Sequence, residues 1–444
     1  MKEVAIVGLG FVGLPLLLSI SRKKNHFKKI IGVESNNQKG KKRIKEIYQY
    51  RKNRLFIDKK LNSILSKNLK KLSITTNFKE TSKADFIFFC YPYNINKKLK
   101  TNFIDYYRLI KKYYLNSKKN SIFILNSTIN PGFTSKILQK LNKEKILRKD
   151  IFFVYSPERV TPGLNYYNSI VNSHKVFSSN SNKRVSLKIK KLFSVIFNTK
   201  KYKITEFDKY EEAECIKILE NSYRASNIAL IEEWAIFAEK IGINLFSILN
   251  AIKLRSTHSN IMRPGLGVGG YCLTKDPYFI KLSSKQYLDN KMNFPFIDLT
   301  MKINSKMHSR VIKKINKKIS IDKRIKNILV FGLSYTENVD DLRNSKSLDL
   351  VNELKNLKRN IDIYDPIIKI SSYKKMKVIK KIKNLNKYHV LIFNVKHRQI
   401  EKMTFNTLKS NQIIIDTNNV LNLYQIKTLI KKGSKIDIVG RGDI

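Results

Sequence analysis

The sequence predicts an α/β protein with two doubly wound domains, joined by a long central helix and a helical dimerisation region. Three observations carry that expectation. An apolar run over 2–7 (KEVAIV) enters a glycine turn, an apolar helical stretch and a second strand-like run. Short β-branched or aromatic runs then alternate with lysine-rich helical segments as far as Tyr155. The alternation restarts near Lys326, beyond a long helical segment, 206–242, that has no internal glycine or proline.

With 444 residues the chain has room for two or three domains with their own cores. A hydrophobic content of 42% and an aromatic content of 11% argue against disorder. No apolar run approaches the roughly 20 residues that span a bilayer, so no membrane partner is expected. The N-terminus runs straight into a strand without a secretory pattern. Cys90, Cys215 and Cys272 are widely spaced and odd in number, which fits a reducing, cytoplasmic compartment and no disulfide framework. His26, His174, His258, His308, His389 and His397 form no metal-ligand pair, so no metal is expected. Eighty-eight Lys and Arg against 34 Asp and Glu give +54. The basic residues are mostly lysines spread over the whole length among abundant Asn and Ile, the bias an AT-rich coding sequence produces. No specific nucleic-acid partner is expected from charge alone.

Taken in order, the first run is a buried parallel strand followed by Gly8-Leu9-Gly10-Phe11-Val12-Gly13, a helix through Ile20, and a second strand, 29–33, ending at Glu34. Strand, GxGxxG, helix, strand and an acid about 20 residues on make the context a dinucleotide fingerprint requires. Gly8, Gly10, Phe11, Val12 and Gly13 would carry the pyrophosphate. Glu34 would take the ribose hydroxyls, favouring NAD. The alternative is a strand–turn–helix whose glycines serve packing only. Further strands are expected over 85–90, 121–126 and 151–155, with Tyr91-Pro92, Ser127-Thr128 and Ser156-Pro157-Glu158-Arg159 at their carboxyl ends, where such sheets bind ligands. Glu158 is a functional acid or a surface one.

Helical periodicity is expected over 206–242, opening on Asp208, Glu211 and Glu212 and stopping at Gly242. A helix of this length suits a bridge between domains or a dimer core. Lys217 and Asn221 share one face of it, as functional groups or as a snorkelling lysine beside an amide. Pro264 to Pro277 follows, with Gly265, Gly267, Gly269 and Gly270 leading to Cys272. Asp276-Pro277 reads as an N-cap and first helical residue, placing a positive helix end just past a thiol. Cys272 is a nucleophile or a buried structural thiol. After helices over 277–318, strands at 326–331, 361–364, 390–395 and 413–416 make a second Rossmann-like unit without a full GxGxxG. In its VDDLRNS run Arg343 is a candidate anion ligand or part of a solvated loop.

Several motifs together resemble one family. They are GLGFVGLPL at 8–16, NST and PG within 126–132, SPERVTPG at 156–163 and EAECIKILENSYRASNIAL at 212–230. PGLGVGGYCLTKDPY at 264–278, GLSYTENVDDLRNS at 332–345 and YDP at 364–366 complete the set. They resemble the UDP-glucose/GDP-mannose dehydrogenase family of nucleotide-sugar 6-dehydrogenases, in order and over nearly the full length. The resemblance implies an NAD-binding domain at 1–204, a central dimerising helical domain at 205–318 and a UDP-sugar-binding domain at 319–444, in a homodimer or higher homo-oligomer. It implies oxidation of a sugar C6 alcohol to a carboxylate in two hydride transfers. Cys272 would form a thiohemiacetal and then a thioester. Lys217 and Asn221 would face the developing alkoxide. Glu158 and Thr128 would position the hydrolytic water, and Asp276 would assist proton movement. Thr128 and Arg343 would also border the cofactor; Arg159, Arg255, Arg263 and Gly269 would join Lys217 and Asn221 on the UDP-sugar. UDP-N-acetylmannosamine or UDP-N-acetylglucosamine is the expected substrate, for surface polysaccharide synthesis, with UDP-glucose as the alternative.

The chain departs from the family pattern at Tyr91-Pro92-Tyr93-Asn94 (for V-P-T-P), at Thr336 (for lysine), at Ser178-Ser179-Asn180 (for a glycine pair) and at Glu232 (for asparagine). Two other readings compete. A basic nucleic-acid-binding protein on a Rossmann scaffold would leave the catalytic set idle, and a two-electron hydroxyacid-type dehydrogenase would leave Cys272 without a purpose.

Overall fold

The computed structural model describes residues 1–51, 55–287, 292–409 and 411–444. They gather into two compact units, one of Met1–Glu220 with Tyr278–Asn293, the other of Asn221–Pro277 with Phe294–Ile444.

In the first unit eight strands form one sheet: β1 (Lys2–Val7), β2 (Phe27–Val33), β3 (Ser73–Thr75), β4 (Phe86–Phe89), β5 (Ile122–Leu125), β6 (Phe152–Tyr155), β7 (Lys175–Ser178) and β8 (Ile204–Phe207). Their order is β3-β2-β1-β4-β5-β6-β7-β8. Every pair is parallel except β6–β7, antiparallel at Tyr155 and Ser178. The period of two sorts the side chains. Val4, Ile6, Phe86, Phe88, Ile122 and Ile124 join one apolar cluster with residues of the helices Gly13–Ser21 and Lys183–Ile196. Ala5, Val7, Ile87, Phe89, Phe123 and Leu125 join a second with the helices Phe103–Leu115 and Phe133–Lys143. Both faces are therefore covered, which is why these strands read as unbroken apolar runs. Each fully buried phenylalanine contributes about 1.5–3 kcal/mol.

The expected helix start is corrected. Thr205 and Glu206 pair with Val176 and Phe177 as β8, and the helix runs Tyr210–Ile241. Glu206 is held in the strand by the Ser186 hydroxyl and the Lys190 ammonium, each 2.7 Å from its carboxylate. Near the start of that helix, Glu214 is fully buried and accepts from Gly132 N (2.6 Å), Thr134 N (2.9 Å) and the Thr134 hydroxyl (2.6 Å). It thereby serves the open N-terminus of Phe133–Lys143, whose N-cap Gly132 lies at φ 85°. Burial pushes Glu214 up from 4.5 to about 7, against the pull of those three donors. A carboxyl raised on folding stabilises fully below its unfolded value and loses that contribution as pH rises through the folded one. Stability should fall between about pH 4.5 and about pH 7 by roughly 3 kcal/mol. Glu214→Gln should flatten this slope and lower stability at acid pH, because the amide nitrogen cannot accept from a backbone N–H. Thermal unfolding of both proteins at about pH 5 and about pH 8 measures it.

Two family departures are absorbed within this unit. Tyr93 is buried, stacks on Phe279 with ring centroids 5.6 Å apart and donates to Asn130 Oδ1 at 3.3 Å. Asn180 and Ser181 take left-handed φ values of 53° and 60°, the backbone shape for which glycine is the usual choice.

The second unit holds β9 (Asn327–Phe331), β10 (Asn360–Tyr364), β11 (Ser372–Tyr373), β12 (Met376–Ile379), β13 (Val390–Phe393), β14 (Ile413–Asp416) and β15 (Lys435–Ile438). Their order is β11-β12-β10-β9-β13-β14-β15, parallel apart from the β11–β12 hairpin. Apolar clusters again cover both faces. Within this unit the helix Pro295–Ile321 lies along the 221–241 part of the helix Tyr210–Ile241. Arg310 joins Glu232 (2.8 Å) to Glu239 (3.1 Å), and Lys314 joins Glu239 (3.3 Å) to Asp437 (2.8 Å). Glu232, the departure from asparagine, thus has its counter-charge. Leu219, Tyr223, Leu230, Phe237 and Ile241 are exposed along Tyr210–Ile241 at spacings of four and seven. Among the described residues no helix is long and apolar enough to cross a membrane.

Candidate active site

The glycine loop after β1 lies at the carboxyl edge of the first sheet, where the strand order reverses. Gly8 has φ 90°, and a Cβ on Gly13 would sit 1.8 Å from the Gly8 carbonyl oxygen, so neither position admits a side chain in this turn. A Cβ on Gly10 would meet nothing within 4 Å. The helix Gly13–Ser21 has no side-chain cap and no acid in its first turn, so its amides remain available to an anion. Glu34, one residue past β2, accepts from Leu9 N at 2.6 Å and Ser35 N at 3.2 Å. Phe11 is exposed and its carbonyl accepts from the Tyr166 hydroxyl; Val12 is half-buried. Open glycine face, uncapped helix and an acid at the end of the neighbouring strand fit a dinucleotide.

Beyond β4, β5 and β6 lie Cys90, Asn126, Thr128, Glu158 and Arg159. Asn126 donates to the Ser156 carbonyl at 2.6 Å and accepts at its own carbonyl from Glu158 N at 3.4 Å, fixing the turn that presents Glu158. Glu158 is buried and ion-paired with the buried Lys175 at 2.7 Å. Arg159 is turned onto Glu220, its Nε 3.1 Å from a carboxylate oxygen, and Thr128 is half-buried. Burial and the charge of Glu158 both push the Cys90 thiol up, which keeps it protonated and inert.

In the second unit the cysteine loop is stapled to the loop following β9. Gly270 N donates to the Arg343 carbonyl at 3.1 Å, and Asn344 Nδ2 donates to the Gly270 carbonyl at 2.9 Å. Gly270 has φ 80°, and a Cβ there would strike the Tyr335 ring at 2.7 Å. A Cβ on Gly269 would sit 2.9 Å from the Asn344 carbonyl oxygen. Cys272, at the turn, is exposed. Its carbonyl accepts from Lys275 N (3.0 Å) and Asp276 N (2.9 Å), tying it to a buried cluster in which Asp276, fully buried, takes Asn221 Nδ2 and Lys275 Nζ, each at 2.6 Å. Asp276 is therefore corrected as an N-cap. Its carboxylate serves a lysine and an amide, and the helix begins at Tyr278. Lys275 Nζ and the Arg343 guanidinium both lie over the Tyr271 ring, at 4.6 and 4.9 Å. Burial, with Asp276 and Cys272 nearby, pushes the Tyr271 phenol up to about 12.

Arg343 also forms a forked ion pair with Asp341 at 2.7 Å, so the candidate anion ligand is partly committed within its own loop. A buried node beneath orders that loop. Asp365 accepts from Leu333 N (2.7 Å), Ser334 N, Ile367 N and Ile368 N, and is held near 2 with His397 the leading favourable influence against burial. The Asn338 N–H donates to His397 Nδ1 at 3.0 Å, leaving Nε2 to face Asp365 at 3.3 Å.

The second unit thus brings together Cys272, Asn221, Asp276, Gly269 and Arg343; the first brings Glu34 to the glycine loop. Lys217 is half-buried one helical turn before Asn221, whereas Arg255 and Arg263 are exposed. Lys175, Lys275 and Tyr335 belong to these sites and were not singled out by sequence.

Domain models of one family match three stretches of the chain. They are the NAD binding domain at 2–197, the central domain at 211–306 and the UDP binding domain at 329–423 of the UDP-glucose/GDP-mannose dehydrogenase family. A UDP-N-acetyl-D-mannosamine dehydrogenase of Methanocaldococcus jannaschii is 31% identical across 99% of this chain and 97% of its own length. The chain belongs to the UDP-glucose/GDP-mannose dehydrogenase family. A UDP-N-acetyl-D-glucosamine 6-dehydrogenase of Pseudomonas aeruginosa is also 31% identical, across 82% of each chain. The solved structure of the UDP-D-ManNAc dehydrogenase of Pyrococcus horikoshii matches with a TM-score of 0.79 and 26% identity, covering 100% of both chains. This member of the family is an NAD-dependent nucleotide-sugar dehydrogenase. The glycine loop and Glu34 lie in the part matched by the NAD binding domain, and Arg343 and Asp365 in the part matched by the UDP binding domain.

Proposed function

We propose that this dehydrogenase oxidises C6 of a UDP-N-acetylhexosamine, UDP-N-acetylmannosamine before UDP-N-acetylglucosamine, to the uronate through a covalent bond to Cys272. The supporting observation is the loop itself: an exposed thiol on a glycine turn hydrogen-bonded to the Arg343–Asn344 backbone and braced by the Asp276–Asn221–Lys275 cluster. The names of the relatives above support the choice of sugar.

NAD⁺, which the glycine loop 8–13 and Glu34 would hold, would supply the hydride acceptor for each oxidation. The Cys272 thiolate adds to the C6 aldehyde to give a thiohemiacetal, and loss of the second hydride leaves a thioester. Lys217 and Asn221 offer an ammonium and an amide to the oxyanion. Glu158, with Thr128, takes a proton from the water that attacks the thioester, which releases the carboxylate and returns the sulfur as thiolate. Asp276 keeps Asn221 oriented. Arg159, Arg255, Arg263 and the Gly269 backbone hold the UDP-sugar, and Thr128 and Arg343 border the cofactor.

Residues 1–204, 205–318 and 319–444 serve as NAD-binding, dimerising and UDP-sugar domains. The exposed apolar stripe from Leu219 to Ile241 supports a homodimer, and a cytoplasmic location fits the supply of NAD and nucleotide sugar. NADH release across UDP-N-acetylmannosamine, UDP-N-acetylglucosamine, UDP-glucose and GDP-mannose tests the reading. The mannosamine sugar should give the highest kcat/KM, with two NADH per sugar. One NADH per sugar would remove the covalent second half, and a preference for UDP-glucose would replace the substrate.

A further inference from the structure

We propose that Lys175 is a positioning residue for Glu158, holding one carboxylate oxygen so that the other is presented to the hydrolytic water. The inference rests on the reading of Glu158 as the water-activating base. Lys175 opens β7, and its partner Glu158 follows β6, the one neighbouring pair in the first sheet that runs antiparallel. Only 4% and 5% of the two side chains are exposed, and Lys175 Nζ stands 2.7 Å from Glu158 Oε1.

A buried ammonium is retained only where its charge is met from more than one side. Here Nζ also lies 4.2 Å from the centre of the Phe197 ring, a cation–π contact in a dry setting. Lys175 is thus anchored independently of the carboxylate it holds.

The oxygens of Glu158 are used unequally. Oε1 accepts both from Lys175 Nζ and from Arg159 N, at 3.1 Å. Among the described residues no hydrogen bond reaches Oε2. Two donors on one oxygen fix the rotation of the carboxylate, and Oε2 is the atom left for proton transfer. Replacing Lys175 would leave one backbone N–H to hold Oε1, and the carboxylate could turn. A base that turns loses its alignment with the attacking water, a displacement that costs on the order of 10²-fold in rate. Nothing in this arrangement assists either hydride transfer.

The experiment separates the two halves of the reaction. Lys175→Met, Lys175→Arg and Glu158→Gln are compared with the unaltered protein, each first checked by thermal unfolding. NADH formation is followed in the pre-steady state and at steady state with the best sugar of the panel above, and acid-quenched samples are weighed for an acyl group on Cys272. Lys175→Met should keep a burst of two NADH per site at a rate within about threefold of the original. Steady-state turnover should fall on the order of 10²-fold as the thioester accumulates, and Lys175→Arg should recover much of it.

Turnover at the original rate, or burst and turnover slowed alike, would overturn the proposal. If Lys175→Met does not fold, Lys175→Gln is read in the same way; failure of both to fold would assign the ion pair to folding and overturn the proposal too. Glu158→Gln locates a failure. If it turns over without acyl accumulation, the reading of Glu158 is wrong; if it accumulates acyl-enzyme while Lys175→Met does not, the role given to Lys175 is wrong.

Discussion

Cys272→Ala should abolish uronate formation, by at least about 10³-fold, the scale on which loss of a covalent nucleophile acts. The environments of the three cysteines support so large an effect. Cys90 is raised by burial and by the charge of Glu158, and Cys215 by burial and then by Glu214, Glu211 and Glu212. A thiol that is buried beside a carboxylate resists ionisation, so neither can take over the attack. Cys272 alone of the three is exposed. Without it the aldehyde from the first oxidation has no sulfur to hold it for the second. Mass analysis of quenched enzyme should find the acyl group on Cys272 in the unaltered protein and none in the variant. Uronate release by Cys272→Ala at the original rate would refute the covalent route.

What the sequence disclosed, and what it concealed, follows from the kind of signal each feature carries. Strands covered on both faces must be apolar at every position, so β1, β4 and β5 stand out as runs. Gly8 and Gly13 stand out because no other residue fits their turn, and Gly10 because it leaves the outer face of the loop open. The edge strands do not: β3 has three residues, and β8 contains Glu206, whose acid resembles a helix N-terminus until Ser186 and Lys190 are brought against it. Asp276-Pro277 carries a sound capping pattern, overridden because the fold offers Asp276 a buried ammonium and an amide. Lys175 and Lys275 were hidden by composition. Among 88 basic residues a buried lysine has no local mark, since its partner is fixed by strand pairing or by a turn. Cys272, by contrast, was legible because four glycines lead into a single thiol.

Asp276→Asn should be the most destabilising single change in the cysteine loop. Asp276 is fully buried and its two oxygens face two donors, Lys275 Nζ and Asn221 Nδ2, at 2.6 Å each. Asparagine keeps one acceptor and removes the charge that the Lys275 ammonium, in a residue only 8% exposed, faces at 2.6 Å. Breaking one side of a buried ion pair costs about 3–5 kcal/mol, which for a unit of this size lowers the unfolding temperature on the order of 10 °C. Activity should fall with it, because Asn221 loses the acceptor that orients its amide. Lys275→Met added to Asp276→Asn distinguishes a lost charge partner from a general loss of packing. If the penalty is the lost counter-charge, the double variant is more stable than Asp276→Asn, since the methionine buries no charge. If the loop needs the aspartate only for shape, the two penalties add. Turnover kept in Lys275→Met alone but lost in Asp276→Asn would then mark Asp276 and Asn221, rather than Lys275, as the pair on which catalysis depends.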